Sequence, residues 1–167
     1  MAAVINYTPS FYLKSLHPEN DHLLVCLPPA GGSSNTFDPL TDIAQHLGLE
    51  VLSIDFPGAG RRRRSQEERA LEDPVELAHD LVPWLEHHLR RHDGSVRPFS
   101  IVGISLGGML GFWLAEERLL PRGLVPKNIV AIMSQPVHVK NRHTVALRGL
   151  FKQDPIKATV TVYRPTS

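Results

Sequence analysis

Four short stretches of the 167-residue chain, 23–27, 51–56, 99–103 and 129–134, are apolar without a regular in-and-out alternation. Each mixes β-branched with other apolar residues, and runs of this length and make-up read as strands. Strands that are apolar on both faces belong to a mostly parallel sheet with helices on both faces. Between them the apolar period becomes that of a helix. A short helix is expected over 37–47, with Asp38 as its cap and Pro39 in its first turn. Asp73-Pro74 opens a second, in which Val75, Leu77, Ala78, Leu81, Val82, Leu85 and Leu89 recur at helical spacing as far as the break at Asp93-Gly94. Pro83 lies inside that helix and predicts a kink or a split. A third helix follows Ser105 through Met109, Leu110, Phe112, Trp113, Ala115 and Leu119 and is expected to end before Pro121. Residues 159–163 read as a last strand. This alternation of strand and helix predicts an α/β class fold with right-handed crossovers, and the length and absence of a linker predict a single domain over 1–167.

Composition narrows the function classes. The formal net charge of +1 makes no case for nucleic-acid binding. No apolar stretch approaches the roughly 20 residues of a membrane span, and no secretory leader pattern opens the chain, so a cytoplasmic location is expected. The single cysteine, Cys26, excludes an internal disulfide, and its apolar neighbours predict a small buried side chain rather than a reactive thiol. His87, His88 and His92 share one polar helical stretch without a cysteine partner or a ligand spacing, so no metal site is expected there.

The chemistry concentrates in Gly103-Ile104-Ser105-Leu106-Gly107. A serine between a strand and a helix sits on a sharp, awkward turn, and residues two before and two after it must be small to let neighbouring chain pass. Gly103 and Gly107 supply that space. The turn puts Ser105 at a helix N-terminus, whose partial positive field favours a developing oxyanion. A second block, Pro28-Pro29-Ala30-Gly31-Gly32-Ser33-Ser34, follows the first clear strand. By itself it reads as a turn. Paired with the elbow it predicts an oxyanion hole, with one donor from the amide of Leu106 and the other from that of Ala30.

These blocks, together with Asp55-Phe56-Pro57-Gly58-Ala59-Gly60 and Met133-Ser134-Gln135-Pro136-Val137-His138, resemble the successive motifs of type II thioesterases. Those are stand-alone α/β hydrolases of polyketide and nonribosomal peptide assembly lines. The resemblance covers roughly residues 20–140 and implies an α/β-hydrolase-like fold. It also implies hydrolysis of acyl groups from the phosphopantetheine arm of an acyl or peptidyl carrier protein, with Ser105 forming an acyl-enzyme that water resolves. No cofactor is implied beyond the phosphopantetheine that carries the substrate. The chain departs from the family pattern at Ile104 and Leu106, where histidine and methionine are usual, and at Ala59, where arginine is common. Arg61, Arg62, Arg63 and Arg64 follow Ala59, and are read either as a carrier-protein contact or as a solvated loop balanced by Glu67, Glu68 and Glu72.

A serine nucleophile needs a base and an orienting acid, in this fold in the order serine, acid, histidine. After Ser105 the acids are Glu116, Glu117 and Asp154, and the histidines are His138 and His143. No histidine follows Asp154, and Glu116 and Glu117 read as solvated surface behind the elbow. The resemblance implies that the acid follows a late strand and the histidine a still later loop. The expectation is a C-terminally truncated or shortened form with impaired turnover; the competing reading gives His138 or His143 the base by an unusual route. Two further readings compete with the thioesterase. One is a non-catalytic carrier-binding module on a degenerate hydrolase fold, the other an acyltransferase or carboxylesterase using the same elbow.

Overall fold

The computed structural model describes residues 4–7, 12–56, 59–60, 74–132 and 160–163, with the backbone alone for 4–7, 12–14, 74–80 and 160–163. Its strands are β1 Val4–Tyr7, β2 Tyr12–Leu16, β3 His22–Leu27, β4 Leu49–Asp55, β5 Phe99–Ile104, β6 Ile129–Ile132 and β7 Val160–Tyr163. They form one sheet in the order β1-β2-β4-β3-β5-β6-β7. The four apolar runs read from the sequence are its centre, β4-β3-β5-β6, and all their pairings are parallel.

Strand alternation sends successive side chains to opposite faces. On one face Leu23, Val25, Leu27, Leu52, Ile54 and Ile101 join the apolar side of helix α2, Pro74–Leu89, and of helix α3, Leu106–Leu114. On the other, Cys26 and Val51 pack with Phe37 and Ala44, which come from a 3-10 helix, Ser34–Leu40, and from α1, Thr41–His46. Full burial of each large aliphatic side chain contributes about 1.5–3 kcal/mol. Helices therefore cover both faces, which is the mostly parallel α/β arrangement expected.

Several local expectations change. The helix expected over 37–47 begins earlier, at Ser34, as a 3-10 helix with Pro39 inside it, and becomes α1 only at Thr41. Asp38 is not its cap; instead the Asp38 carbonyl accepts from the Thr41 hydroxyl at 2.6 Å. The 3-10 form suits a proline here, because a short run of i→i+3 bonds has few donors to lose. Helix α2 starts at Pro74 as expected but is not split at Pro83. That residue is exposed, so solvent can satisfy the carbonyl that its missing N–H leaves one turn back. The third helix does not end before Pro121. It passes through a π-helical turn, Ala115–Leu119, into a 3-10 turn, Leu120–Arg122, and stops at Gly123 with φ 73°. The wider π turn rotates the face beyond it, and Glu116 is half-buried rather than solvated, while Glu117 is exposed.

Two strands lay outside the sequence reading. β1 and β2 form an antiparallel pair that extends the sheet beyond β4. At the opposite edge β7 runs antiparallel to β6, with Ile132 opposite Val160. Thr159, the first residue of the expected last strand, lies outside the described residues, as do Met133 and Ser134.

The rim formed by the N-terminal ends of the parallel strands is closed by Arg97. Its guanidinium donates to the carbonyls of Asn20 and Asp21, each at 2.5 Å, and to Glu50 at 2.6 Å. Glu50, 1% exposed, also accepts from the Ser15 hydroxyl at 2.5 Å. One buried carboxylate thus ties β2, β4 and the entry to β5. The opposite rim, where β3, β4 and β5 end, carries the candidate chemistry.

Candidate active site

Ser105 stands between the last residue of β5 and the first of α3, with φ 51° and ψ −116°. Positive φ is unusual for a residue with a side chain, costs about 1–3 kcal/mol, and persists only where the surroundings enforce it. Here they do. The Ser105 amide donates to the Ile132 carbonyl at 2.8 Å, and its own carbonyl accepts from Gly108 and Met109 at 3.0 and 3.2 Å. The residue is held from the neighbouring strand on one side and from the first helical turn on the other, and it is exposed.

The flanking glycines are steric necessities. A Cβ on Gly103 would lie 2.3 Å from the Gly107 carbonyl oxygen and 2.4 Å from the Gly108 nitrogen. A Cβ on Gly107 would lie 2.1 Å from the Leu27 carbonyl oxygen and 2.5 Å from that of Pro28. The first contact allows the chain to fold back sharply on itself. The second brings the start of α3 against the end of β3, and so beside the loop that begins at Pro28.

That loop turns tightly. The Gly32 amide donates to the Pro29 carbonyl at 2.9 Å, and Gly31, at the third position of the turn, has φ 72°, which a glycine adopts without strain. Ala30 lies at the exposed tip of this turn, and Leu106, 37% exposed, opens α3 next to Ser105. The proline-glycine loop and the elbow are thus adjacent through backbone contact at Gly107. Met109, one helical turn beyond Ser105, is also 37% exposed and adds an apolar surface at the mouth.

The third sequence block contributes through Asp55, at the end of β4. Its side chain is fully buried and accepts from the Ser34 amide, while a Cβ on Gly60 would lie 2.5 Å from the carboxylate. Sequence reasoning placed Asp55 in a motif without giving it a task. The signal was its polarity at the end of an otherwise apolar run.

Arg61, Arg62, Arg63 and Arg64 lie outside the described residues, as do His138, His143 and Asp154. Glu116 and Glu117 sit in the π-helical turn that follows α3, more than two helical turns from Ser105. Cys26 is fully buried in the second core cluster, and desolvation alone pushes its thiol well above the ordinary range, so little thiolate forms at neutral pH.

Comparison with known proteins places this geometry in a family. The Thioesterase domain model matches residues 22–162. Over 116 residues the chain is 34% identical to the AMB antimetabolite synthetase AmbE of Pseudomonas aeruginosa, covering 67% of this chain and 5% of that protein. It is 30% identical over 131 residues to the thioesterase PikA5 of Streptomyces venezuelae, covering 75% of this chain and 42% of that protein. Among solved structures it resembles the type II thioesterase BorB from the borrelidin biosynthetic cluster, with 31% identity, a TM-score of 0.55, and coverage of 73% of this chain and 47% of BorB. The chain therefore spans less than half the length of each of these relatives. With its match running through both the serine turn and the proline-glycine loop, the chain belongs to the thioesterase-domain family of α/β hydrolases.

Proposed function

We propose that this chain carries the nucleophile and oxyanion hole of a thioesterase that removes acyl groups from carrier-protein phosphopantetheine through a serine acyl-enzyme. The names of its relatives point the same way: PikA5 is a thioesterase, and BorB belongs to a biosynthetic cluster. Polyketide or nonribosomal peptide assembly in the cytoplasm is the setting this reading favours. Among the described residues no helix is long and apolar enough to cross a membrane.

The observation that carries the reading is the Ser105 backbone, at φ 51° and ψ −116°, locked between Ile132 and the first turn of α3. In the proposed reaction the Ser105 hydroxyl oxygen attacks the thioester carbonyl carbon. The carbonyl oxygen takes up negative charge against the amides of Ala30 and Leu106. Collapse breaks the carbon–sulfur bond, and the hydroxyl proton ends on the departing pantetheine thiol. Water then adds to the acyl-enzyme, giving the free acid and restoring the Ser105 hydroxyl. The acyl group would leave along the apolar surface of Leu106 and Met109, and the arginines 61–64 would meet the acidic carrier protein.

This scheme needs a base to take up the hydroxyl proton and an acid to orient that base, and residues 106–167 contain no acid followed by a histidine apart from the helix glutamates. The 167 residues by themselves are accordingly proposed to turn over weakly. The same observation favours a second reading, a carrier-binding module without hydrolysis.

A fluorophosphonate probe and an acyl-carrier thioester test both. Probe labelling that disappears in Ser105→Ala, with slow but Ser105-dependent release of acid, supports the thioesterase. Equal labelling of Ser105→Ala removes the nucleophile from the scheme. Carrier binding with no Ser105-dependent cleavage selects the binding module, and cleavage of simple esters in preference to thioesters selects a carboxylesterase.

A further inference from the structure

We infer that Asp55 is a positioning residue for the oxyanion loop, holding the Ala30 amide in register with the elbow from a distance. The inference rests on the roles proposed above for Ser105 and Ala30. A buried carboxylate is costly unless its lone pairs are occupied. Asp55 is 0% exposed at the rim where β4 ends; among the described residues the other buried carboxylate, Glu50, serves the opposite rim. It accepts from the backbone amide of Ser34, which is 1% exposed and opens the 3-10 helix directly after the loop.

That bond fixes the far end of the loop. The near end is fixed at Leu27 and Pro28, whose carbonyl oxygens pack on Gly107. Between the two anchors lie only the tight turn at Pro29–Gly32 and Ser33, so the orientation of the turn follows from both. Gly60, with φ 53° and no Cβ, lets backbone come within contact of the Asp55 carboxylate. A charge-assisted bond to a backbone amide is short and directional, which is what an oxyanion donor needs from its support. A misplacement of about 1 Å far from the reacting atoms costs on the order of a hundredfold in rate.

Two substitutions act on this bond from opposite ends, one weakening the acceptor and the other removing the donor. Asp55→Asn keeps the shape and removes the charge. Ser34→Pro removes the donor and leaves the carboxylate in place. Proline suits this position, because Ser34 is the first helical residue and Ser33 before it is extended, at φ −136° and ψ 173°. Should Asp55→Asn fail to fold, Ser34→Pro carries the test.

Two readouts are taken on the full chain: fluorophosphonate labelling of Ser105, resolved into kinact and KI, and hydrogen exchange of the amides at 30–33. The expected result is a fall in kinact of about ten- to hundredfold with KI little changed, together with faster exchange at 30–33. The double variant should be no slower than the slower single variant, because both act through one bond. Folded variants with the parent kinact and the parent exchange overturn the inference while leaving the nucleophile intact. Labelling that persists in Ser105→Ala defeats the nucleophile instead, and the exchange at 30–33 then decides whether Asp55 holds the loop.

Discussion

Gly107 shows how little freedom single residues have at the rim. Its missing side chain is the space in which the end of β3 passes the start of α3, with the Leu27 carbonyl oxygen 2.1 Å from where a Cβ would be. Backbone cannot yield as a flexible side chain can, so Gly107→Ala must push the two segments apart. The expected outcome is a loss of Ser105 labelling of at least tenfold, in line with the sensitivity of rate to misplacement, with a loss of about 1–3 kcal/mol in denaturant stability from overpacking. An alanine variant that labels at the parent rate would show that the contact does not set the elbow. Ser105 and its two glycines were legible from their spacing, because the turn and the contact of Gly103 with Gly107 are local, although what Gly107 meets in β3 is not. Asp55 was not, since its partners Ser34 and Gly60 come from two different loops and nothing in the spacing links them.

At the scale of elements, helical periodicity found α2 and α3 but misjudged where they yield. Pro83 breaks the hydrogen-bond ladder of α2 without interrupting it, since the residue faces solvent and the buried face of Leu81, Val82, Leu85 and Leu89 holds the helix to the sheet. Tertiary packing outweighs a local penalty of about 3 kcal/mol for an interior proline. Pro83→Ala should therefore stabilise the protein by about 1–3 kcal/mol, less whatever proline contributes by restricting the unfolded chain. Urea titration reads this directly, and a lower midpoint in the alanine variant would mean that the proline is matched to its site. The end of α3 was misread for a related reason. Pro121 does not stop the chain from winding on, because it enters the first turn of a 3-10 segment, where its missing donor is not needed; Gly123 ends that segment.

For the molecule as a whole, the two rims of the sheet divide stability from chemistry. The Arg97–Glu50 pair and its neighbours lock the rim away from Ser105, and two histidines lie near it. His88, half-buried and stacked on Trp84 with ring centroids 4.4 Å apart, has its pKa lowered mainly by desolvation, with Arg97 adding to the effect and Glu50 opposing it. His22, bonded to Ser100 at 3.0 Å, is lowered by desolvation and then by Arg97 and Lys127, against Asp21. A histidine whose folded pKa is depressed protonates first in the unfolded chain. Its stabilising contribution is complete above the unfolded value of about 6.5 and is lost as pH falls through and below it. Stability should thus decline from pH 7.5 to 5.5, and His88→Gln should flatten that decline. A variant with an unchanged or steeper slope would exclude His88 as a source.

The chain's own pattern of apolar runs determined the parallel centre of the sheet, because strands buried on both faces cannot disguise themselves as anything exposed. It determined the spacing of the elbow as well, since the turn at Ser105 and the contact of Gly103 with Gly107 lie within five consecutive residues, while the contact of Gly107 with Leu27 and Pro28 comes from the fold. Strand order, the antiparallel pair β1–β2 at one edge and the antiparallel β7 at the other were decided only in three dimensions. Pairing partners are chosen by contacts distant in sequence, and a short apolar run looks the same whether its neighbour is parallel or antiparallel. The link from Asp55 to Ser34 has the same origin: 21 residues separate a carboxylate from the amide it holds, and only the closing of the sheet brings them together.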